Sequence, residues 1–218
     1  MTEQQIFNFN SNLIYSEENF IKDPSNHEVF NYLSKFPNWE NKLINLYGEK
    51  KSGKTFLLNI LKNKENFFFI NNYAELEKNY DNLFSQEKLI IDSTFIDENK
   101  MFSLIDHFIL HNKYLILSSR APITSHSIKL KDLKSRLNQF YLLEIKNPSD
   151  NLVYSLIMKY FSDNQVVIRK ELIEYIVKKI DRSYLRINEF LTKLNNLSII
   201  NKRKIDYKLI NEVFNSMV

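Results

Sequence analysis

The sequence contains no cysteine, so disulfides, zinc–thiolate sites and thiol nucleophiles are excluded. This absence fits a reducing compartment. No window approaches the run of about 18 apolar residues that a membrane-spanning helix needs. The first ten residues, MTEQQIFNFN, also lack the basic segment and apolar run of a secretion signal. We therefore expect a soluble, cytoplasmic protein that has no membrane partner.

Long blocks of one charge sign are absent as well. The net charge is only +4, and basic and acidic residues are interspersed along the chain. The longest basic cluster, NKRK at 201–204, is interpreted as a solvated connection between helices. We see no basic tail or basic recognition helix, so we expect no direct sequence-specific binding to DNA.

Glycine is also unusually scarce in this sequence. The chain has 2 glycines, whereas average usage would give about 15 in a chain of this length. They are Gly48 and Gly53, and Lys54 and Thr55 follow at once. The spacing satisfies G-x(4)-G-K-[ST], in which backbone N–H groups turn inward to hold phosphate oxygens and a side chain at either glycine would obstruct the turn.

The surroundings of this motif are those that a phosphate-binding loop requires. A buried strand, KLINLY at 42–47, precedes it, and a helix begins at Gly53. In such a loop Lys54 reaches the terminal phosphates and Thr55 offers a hydroxyl to Mg²⁺. We assign the remaining contacts to the neighbouring residues Lys51, Ser52 and Phe56, and we expect ADP or ATP with Mg²⁺ as the ligand.

A second acid should lie near the metal, at the end of a neighbouring strand. Asp92 closes the strand KLIID at 88–92 and is the strongest candidate, the alternative being an ordinary aspartate at a strand end. Ser93 follows, where ATP-hydrolysing enzymes of the AAA+ class usually place another acid to orient water. Asp97 and Glu98 lie further along, but nothing specifies them for this role. We expect tight nucleotide binding with weak or no intrinsic hydrolysis.

Strand patterns alternate with helix patterns in the first two thirds of the chain, which predicts a parallel sheet with right-handed crossovers. After KNPSD at 146–150 only helix patterns remain. We predict an α/β fold: a five-stranded parallel P-loop sheet with helices on both faces, followed by a small all-helical lid. The predicted divisions are an N-terminal arm (1–19), a nucleotide-binding domain (20–147) and a lid (148–218). The predicted strands are 42–47, 66–70, 88–92, 114–119 and 141–145. The predicted helices are 23–36, which Ser25 or Asn26 could cap, one from residue 53, 74–84, 99–112, 132–140, 151–162, 169–180, 183–199 and 205–216.

Several stretches resemble the AAA+ domain of the replication initiator DnaA and, more closely, the short DnaA homologue Hda. Phe20, Pro24, Ser25 and Asn26 match a Phe-x(3)-Pro-Ser-Asn segment that borders the adenine in that family, and FPNW at 36–39 matches the approach to the P-loop strand. The similarity covers about residues 4–216, and the P-loop and the SRL segment ending at 137 are its most specific parts. The resemblance implies an AAA+ fold and assigns Pro24 and Asn26 to the nucleotide site.

The resemblance also implies roles for polar residues after the P-loop. Ser118 and Ser119 end the sensor-1 strand, where a hydroxyl can lie beside the γ-phosphate, although serines are common at strand ends. The segment LKDLKSRL at 130–137 resembles the one that carries the family's arginine finger, which maps to Arg136; the alternative is a surface salt bridge. Arg182 and Arg186 both fit the sensor-2 arginine of the lid helix, with Arg186 favoured.

The arm QQIFNF resembles the short peptide that docks in the groove of the DNA polymerase III sliding clamp. Its residues are Gln4, Ile6, Phe7 and Phe9. A glutamine can hydrogen bond to the rim of the groove while apolar side chains fill the pocket. The alternative is that Phe7 and Phe9 pack on their own domain.

The resemblance implies a regulator that binds adenine nucleotide, docks on the clamp and presents Arg136 to ATP held by DnaA. The chain shows no DNA-reading module after the lid, which we expect of the regulator rather than of the initiator. A small P-loop kinase and a helicase-loader-type adaptor remain alternatives. The oligomeric state, a homodimer included, stays open. His107 and His111 have a metal-binding spacing but no third ligand, so we assign them to a half-exposed helix face.

Overall fold

A computed structural model describes residues 15–92 and 97–217 of the chain. Ser93 and the four arm residues Gln4, Ile6, Phe7 and Phe9 lie outside these ranges. The predictions that concern them are therefore not tested by the structure.

A five-stranded parallel sheet forms the centre of the first part of the molecule. Its strands are β1 (Leu43–Gly48), β2 (Phe68–Ile70), β3 (Lys88–Ile91), β4 (Tyr114–Ser119) and β5 (Tyr141–Ile145). They lie in the order β2-β3-β4-β1-β5, and all neighbours run parallel. The strand that precedes the glycine motif, β1, thus has a neighbour on each side. Its carboxyl end lies at the edge of the sheet where open parallel sheets bind their ligands.

Helices cover both faces of this sheet, as predicted. They are α1 (His27–Ser34), α2 (Lys54–Glu65), α3 (Tyr73–Leu83), α4 (Glu98–Leu110) and α5 (Lys131–Leu137). Because side chains alternate along a strand, β4 contributes to two cores. Ile116 packs into the core with α1 and α2, whereas Leu115 and Leu117 pack into the core with α3, α4 and α5.

Only helices follow the last strand within the described residues. They are α6 (Asp150–Asp163), α7 (Lys170–Lys179), α8 (Tyr184–Ile200) and α9 (Tyr207–Asn215). They enclose a separate apolar core that includes Ile157, Ile173, Phe190 and Leu209. We call this helical part the lid. The predicted boundary near 147 falls in the connection between β5 and α6.

The start of α1 is set by the segment before it. The helix begins at His27, within the predicted span 23–36, because residues 23–26 form a hydrogen-bonded turn. Asn26 occupies the N-cap position, but its side chain accepts from the backbone N–H of Asp23 at 3.0 Å and does not cap the helix. At α6 the N-cap side chain does cap the helix, since Ser149 accepts from the backbone N–H of Leu152.

Across residues 15–92 and 97–217, no helix combines the length and the apolar character that crossing a membrane requires.

Candidate functional site

The glycine motif forms a tight turn between the end of β1 and the start of α2. Gly48 has φ 153° and Gly53 has φ 96°, and Lys51 between them has φ 71°. A Cβ atom on Gly48 would lie 2.8 Å from the carbonyl oxygen of Ile145 in β5. The backbone therefore passes too close to the neighbouring strand to admit a side chain at this position.

Lys54 is the first residue of α2 and is buried, with 9% of its surface exposed. Its Nζ donates to the carbonyl oxygen of Gly48 at 2.7 Å and to that of Glu49 at 2.9 Å. Burial lowers the pKa of the Lys54 amine, and the nearby Asp92 carboxylate opposes that shift. The lysine thus donates to two carbonyl groups of its own loop. A bound anion could replace these carbonyl oxygens as the acceptor.

The same turn contains a buried hydroxyl without a hydrogen-bond partner. Ser52 is 5% exposed, and its Oγ makes no hydrogen bond to any residue within the described ranges. An unsatisfied buried hydroxyl is costly. Together with the inward turn and the N-terminus of α2, it makes the loop suited to a phosphate group.

The two predicted metal-linked residues are brought together. Thr55 Oγ1 donates to Asp92 Oδ2 at 2.5 Å, and the backbone N–H of Asp92 donates to the carbonyl oxygen of Ile70 at 2.8 Å. Mg²⁺ prefers oxygen ligands and is usually held by one or two protein groups plus phosphates. In the described part of the chain no group of three or more His, Cys, Asp or Glu residues is placed to hold a metal ion. The Thr55–Asp92 pair fits a metal shared with a nucleotide.

A cleft leads from this loop toward the lid. Its empty space, which includes the open mouth, is about 590 Å³. Phe20 and Phe56 form one aromatic side, with ring centroids 6.0 Å apart. Its remaining lining comes from the 19–26 segment, the loop and the lid: Asn19, Ile21, Asn26, Lys51, Ser52, Gly53, Leu152, Leu156, Lys159 and Tyr184. An apolar cleft beside a phosphate-binding loop can accept the base of a nucleotide.

The 23–26 segment connects this cleft to the lid. Asp23 is 7% exposed and its Oδ1 accepts from the Ser25 backbone N–H at 2.9 Å and the Ser25 hydroxyl at 2.6 Å. Its Oδ2 accepts from the Ser149 hydroxyl at 2.5 Å. Asn26 lines the cleft, whereas Pro24 is exposed and is not among the lining residues.

Ser119 lies at the end of β4 next to the loop, since it is in register with Tyr47. Its hydroxyl donates to the Ala121 carbonyl at 2.6 Å and accepts from Asn45 Nδ2 at 2.8 Å. Asn45 is fully buried, and its Oδ1 accepts from the Ile123 backbone N–H at 3.0 Å. Asn45 therefore fixes the turn after β4, and the Ser119 hydroxyl is bonded to this turn.

Each of the three predicted arginines lies within ion-pair distance of a carboxylate of the same chain. Arg136 forms an ion pair with Asp106 of α4, with 2.8 Å between nitrogen and oxygen, which is the alternative that the sequence left open. Arg182 pairs with Asp150 at 2.7 Å. Arg186 is half-exposed, lies 3.7 Å from Glu189 and lines a second cleft, on the lid. None of the three lines the cleft beside the loop.

Four residues near the loop were missed by sequence reasoning. Arg120 follows Ser119 at the same sheet edge, and its charge lowers the pKa of Lys54 further. Its position directly after β4 could have pointed to it. Glu49 lies within the glycine motif itself, whereas Lys159 and Tyr184 are brought to the site by the fold and no sequence signal marks them.

Comparisons with known proteins relate this chain to replication initiators. It is 26% identical to the chromosomal replication initiator protein DnaA of Buchnera aphidicola subsp. Cinara cedri, over 93% of this chain and 53% of that protein. No family model matches the chain. The chain spans about half the length of the curated relatives it matches.

Solved structures show the same relation at the level of the fold. Domain III of DnaA from Thermotoga maritima superposes with a TM-score of 0.73 at 17% identity, covering 93% of this chain and 96% of that domain. AMPPCP-bound DnaA from Aquifex aeolicus gives a TM-score of 0.63 at 20% identity, covering 84% of this chain and 65% of that one. The predicted AAA+ fold is confirmed: the chain has the fold of DnaA domain III and is related to DnaA in sequence.

Proposed function

We propose that this protein is a DnaA-related AAA+ regulator of replication initiation that binds ADP or ATP with Mg²⁺. The observation that carries the proposal is the loop at Gly48–Gly53 with its buried lysine, unpartnered hydroxyl and adjoining Thr55–Asp92 pair. The DnaA of Aquifex aeolicus, which has the same fold, is bound to AMPPCP.

Nucleotide binding follows from the residues of the loop. Lys54 exchanges its two carbonyl partners for phosphate oxygens, since a charge-assisted bond to an anion is stronger than a bond to a neutral carbonyl. Backbone N–H groups at the start of α2 hold the same anion. Thr55 and Asp92 would hold Mg²⁺, which neutralises phosphate charge. The base lies between Phe20, Phe56 and the lid residue Tyr184.

We further propose that this nucleotide is held rather than consumed. Ser93 stands where a second acid would orient the attacking water, and a serine cannot act as a base at neutral pH. The bound nucleotide then serves to hold the sheet domain and the lid in one arrangement.

The partners proposed are the DNA polymerase III sliding clamp and DnaA. Docking on the clamp is assigned to Gln4, Ile6, Phe7 and Phe9. Arg136 is assigned to the ATP of DnaA, where it must first leave Asp106. Separating them costs more than the about 0–1 kcal/mol of a fully exposed pair, because the Asp106 Oδ1 that faces Arg136 is itself buried. An arginine supplied to a partner's site raises hydrolysis by about 10³–10⁵ in GTPases.

Arg136→Ala should remove the stimulation of ATP hydrolysis by DnaA while leaving folding and nucleotide binding of the variant unchanged. The measurement is phosphate release by DnaA in the presence of clamp loaded on DNA. Lys134→Ala is the matched control, because Lys134 is an exposed cation on the same helix α5. Full stimulation by Arg136→Ala would refute the assignment.

Clamp docking has its own test. Alanine at Gln4, Ile6, Phe7 and Phe9 together should abolish capture of this protein by immobilised clamp, since the groove then loses both its polar and its apolar partners. Alanine at Asn8 and Asn10, which lie between and beside these residues, is the matched control. Unchanged capture of the quadruple variant would exclude the arm as the docking segment.

A further inference from the structure

Glu49 lies inside the phosphate-binding loop, yet its side chain is bonded to the lid. Its Oε1 accepts from the Ser183 hydroxyl, and its Oε2 accepts from the backbone N–H of Tyr184 at 2.6 Å. Both oxygens of one loop carboxylate are thus engaged by two consecutive residues at the start of α8.

The start of α8 is well suited to hold a carboxylate. The first N–H groups of a helix have no partner within the helix, and this end carries the positive part of the helix dipole. Ser183 is the N-cap: its hydroxyl accepts from the Arg186 backbone N–H at 3.2 Å while donating to Glu49. The carboxylate therefore completes the cap of a 17-residue lid helix from outside the lid.

The backbone of Glu49 is bonded to the residues that would bind phosphate. Its carbonyl oxygen accepts from Lys54 Nζ at 2.9 Å and from the Ser52 backbone N–H at 3.2 Å. The adjoining lid residue Tyr184 is 5% exposed and lines the base cleft. One residue thus connects the loop lysine to the helix that covers the cleft.

The charge of Glu49 is a further reason to connect the lid with ligand binding. A carboxylate in a loop that binds polyphosphate repels the ligand unless the charge is neutralised or held away. In this structure the lid donors hold it at the helix N-terminus. If the lid moved away, the Glu49 carboxylate would lose both donors and remain in the loop with only the nearby Lys54 charge to offset it.

We propose that Glu49 is a positioning residue that ties the lid to the phosphate-binding loop, so that closure of the lid and tight binding of a nucleoside polyphosphate support each other. The coupling to ligand rests on the proposed function; the tie itself does not. The two parts can therefore be tested separately.

The tie is tested without nucleotide, by energy transfer between one label on the sheet domain and one on the lid. The chain has no cysteine, so Asn63→Cys in α2 and Lys208→Cys in α9, both exposed, give unique labelling sites. Glu49→Ala should broaden the distribution of distances between the labels. Glu40→Ala, which removes an exposed carboxylate before β1, should leave it unchanged. An unchanged distribution in Glu49→Ala would overturn the proposal.

The coupling is tested by the dissociation constants of Mg-ADP and Mg-ATP in a double-mutant cycle. Glu49→Ala should weaken binding about tenfold, and Ser183→Gly by less, because the Tyr184 N–H still holds Glu49 in that variant. The double variant should be no weaker than Glu49→Ala, because that change already removes the Ser183 contact. Additive losses would contradict the coupling, as would tighter binding by Glu49→Ala, which is the result if Glu49 merely repels phosphate.

Ser183→Gly also removes the N-cap of α8, so a second variant that loses the N-cap of another lid helix serves as the control. The Asp206 side chain accepts from the Leu209 backbone N–H at 2.8 Å at the start of α9. Asp206→Ala should lower stability without changing either dissociation constant. If the unmodified protein binds no nucleotide, the proposed function fails, whereas the distance measurement still decides whether Glu49 ties the lid.

Discussion

The two glycines of the loop are required for different physical reasons. At Gly48 the obstacle is the Ile145 carbonyl oxygen of the adjacent strand, 2.8 Å from the place of a Cβ atom. At Gly53 the nearest atom is on the flexible Phe20 ring at 3.4 Å, and the constraint is the φ of 96°. A backbone atom of a paired strand cannot yield as a side chain can.

Gly48→Ala should therefore be the more destabilising of the two substitutions. We expect a loss of about 1–3 kcal/mol in the free energy of unfolding, from the strained backbone alone, with the clash adding to it. Gly53→Ala carries the backbone strain without the clash. Urea unfolding of the two variants measures the difference. An equal or smaller loss for Gly48→Ala would contradict the close approach.

Residue assignments could be predicted where the chemistry is local in sequence. Gly48, Gly53, Lys54 and Thr55 are consecutive parts of one motif. Asn45, by contrast, has its partners 72 to 78 residues away, and no local pattern marks it as the residue that fixes the turn after β4.

At the scale of elements, strands and helices were predictable because burial imposes a period on the sequence. All five strands and all nine helices named above were expected. The predicted span 23–36 starts before the helix does, because the backbone of residues 23–26 is held by the Asp23 and Asn26 side chains. Side-chain bonds to the backbone compete with the helix in this way.

The same segment yields a prediction about pH. Burial raises the pKa of Asp23, but hydrogen bonds from Ser149 and Ser25 outweigh it, so its pKa lies below the ordinary 3.8. A carboxyl with a lowered pKa stabilises the fold above the unfolded-state value near 3.8, and this stabilisation is lost as the pH falls through the folded-state pKa.

Asp23→Asn should therefore cost about 1–3 kcal/mol at pH 7, the usual effect of removing one partner from a buried hydrogen bond. The difference between the two proteins should shrink as the pH falls below about 4. Denaturant unfolding at pH 7 and pH 3 measures it, and Asp81→Asn, an exposed aspartate on α3, is the control. A difference that does not change with pH would exclude the ionised state of Asp23 as the cause.

At the scale of the whole molecule, the sheet and the lid meet around the cleft beside the loop. The order of strands and helices predicted both parts, because each buries its own core. The contacts that join them were not predictable, since Glu49 and its partners Ser183 and Tyr184 are 134 and 135 residues apart. For the same reason Asp106 and Asp150 could not be identified from sequence as the partners of Arg136 and Arg182, whereas Glu189 lies only three residues after Arg186.

The central claim is that the loop at 48–55 binds the phosphates of an adenine nucleotide, and calorimetric titration with Mg-ADP and Mg-ATP tests it most directly. The account predicts saturable binding by the unmodified protein and by Lys62→Ala, which removes a lysine at the far end of α2. It predicts loss of binding by at least about 100-fold for Lys54→Ala, because the charge-assisted bonds to phosphate are removed. Absence of heat with the unmodified protein, or equal affinity in Lys54→Ala, would contradict it.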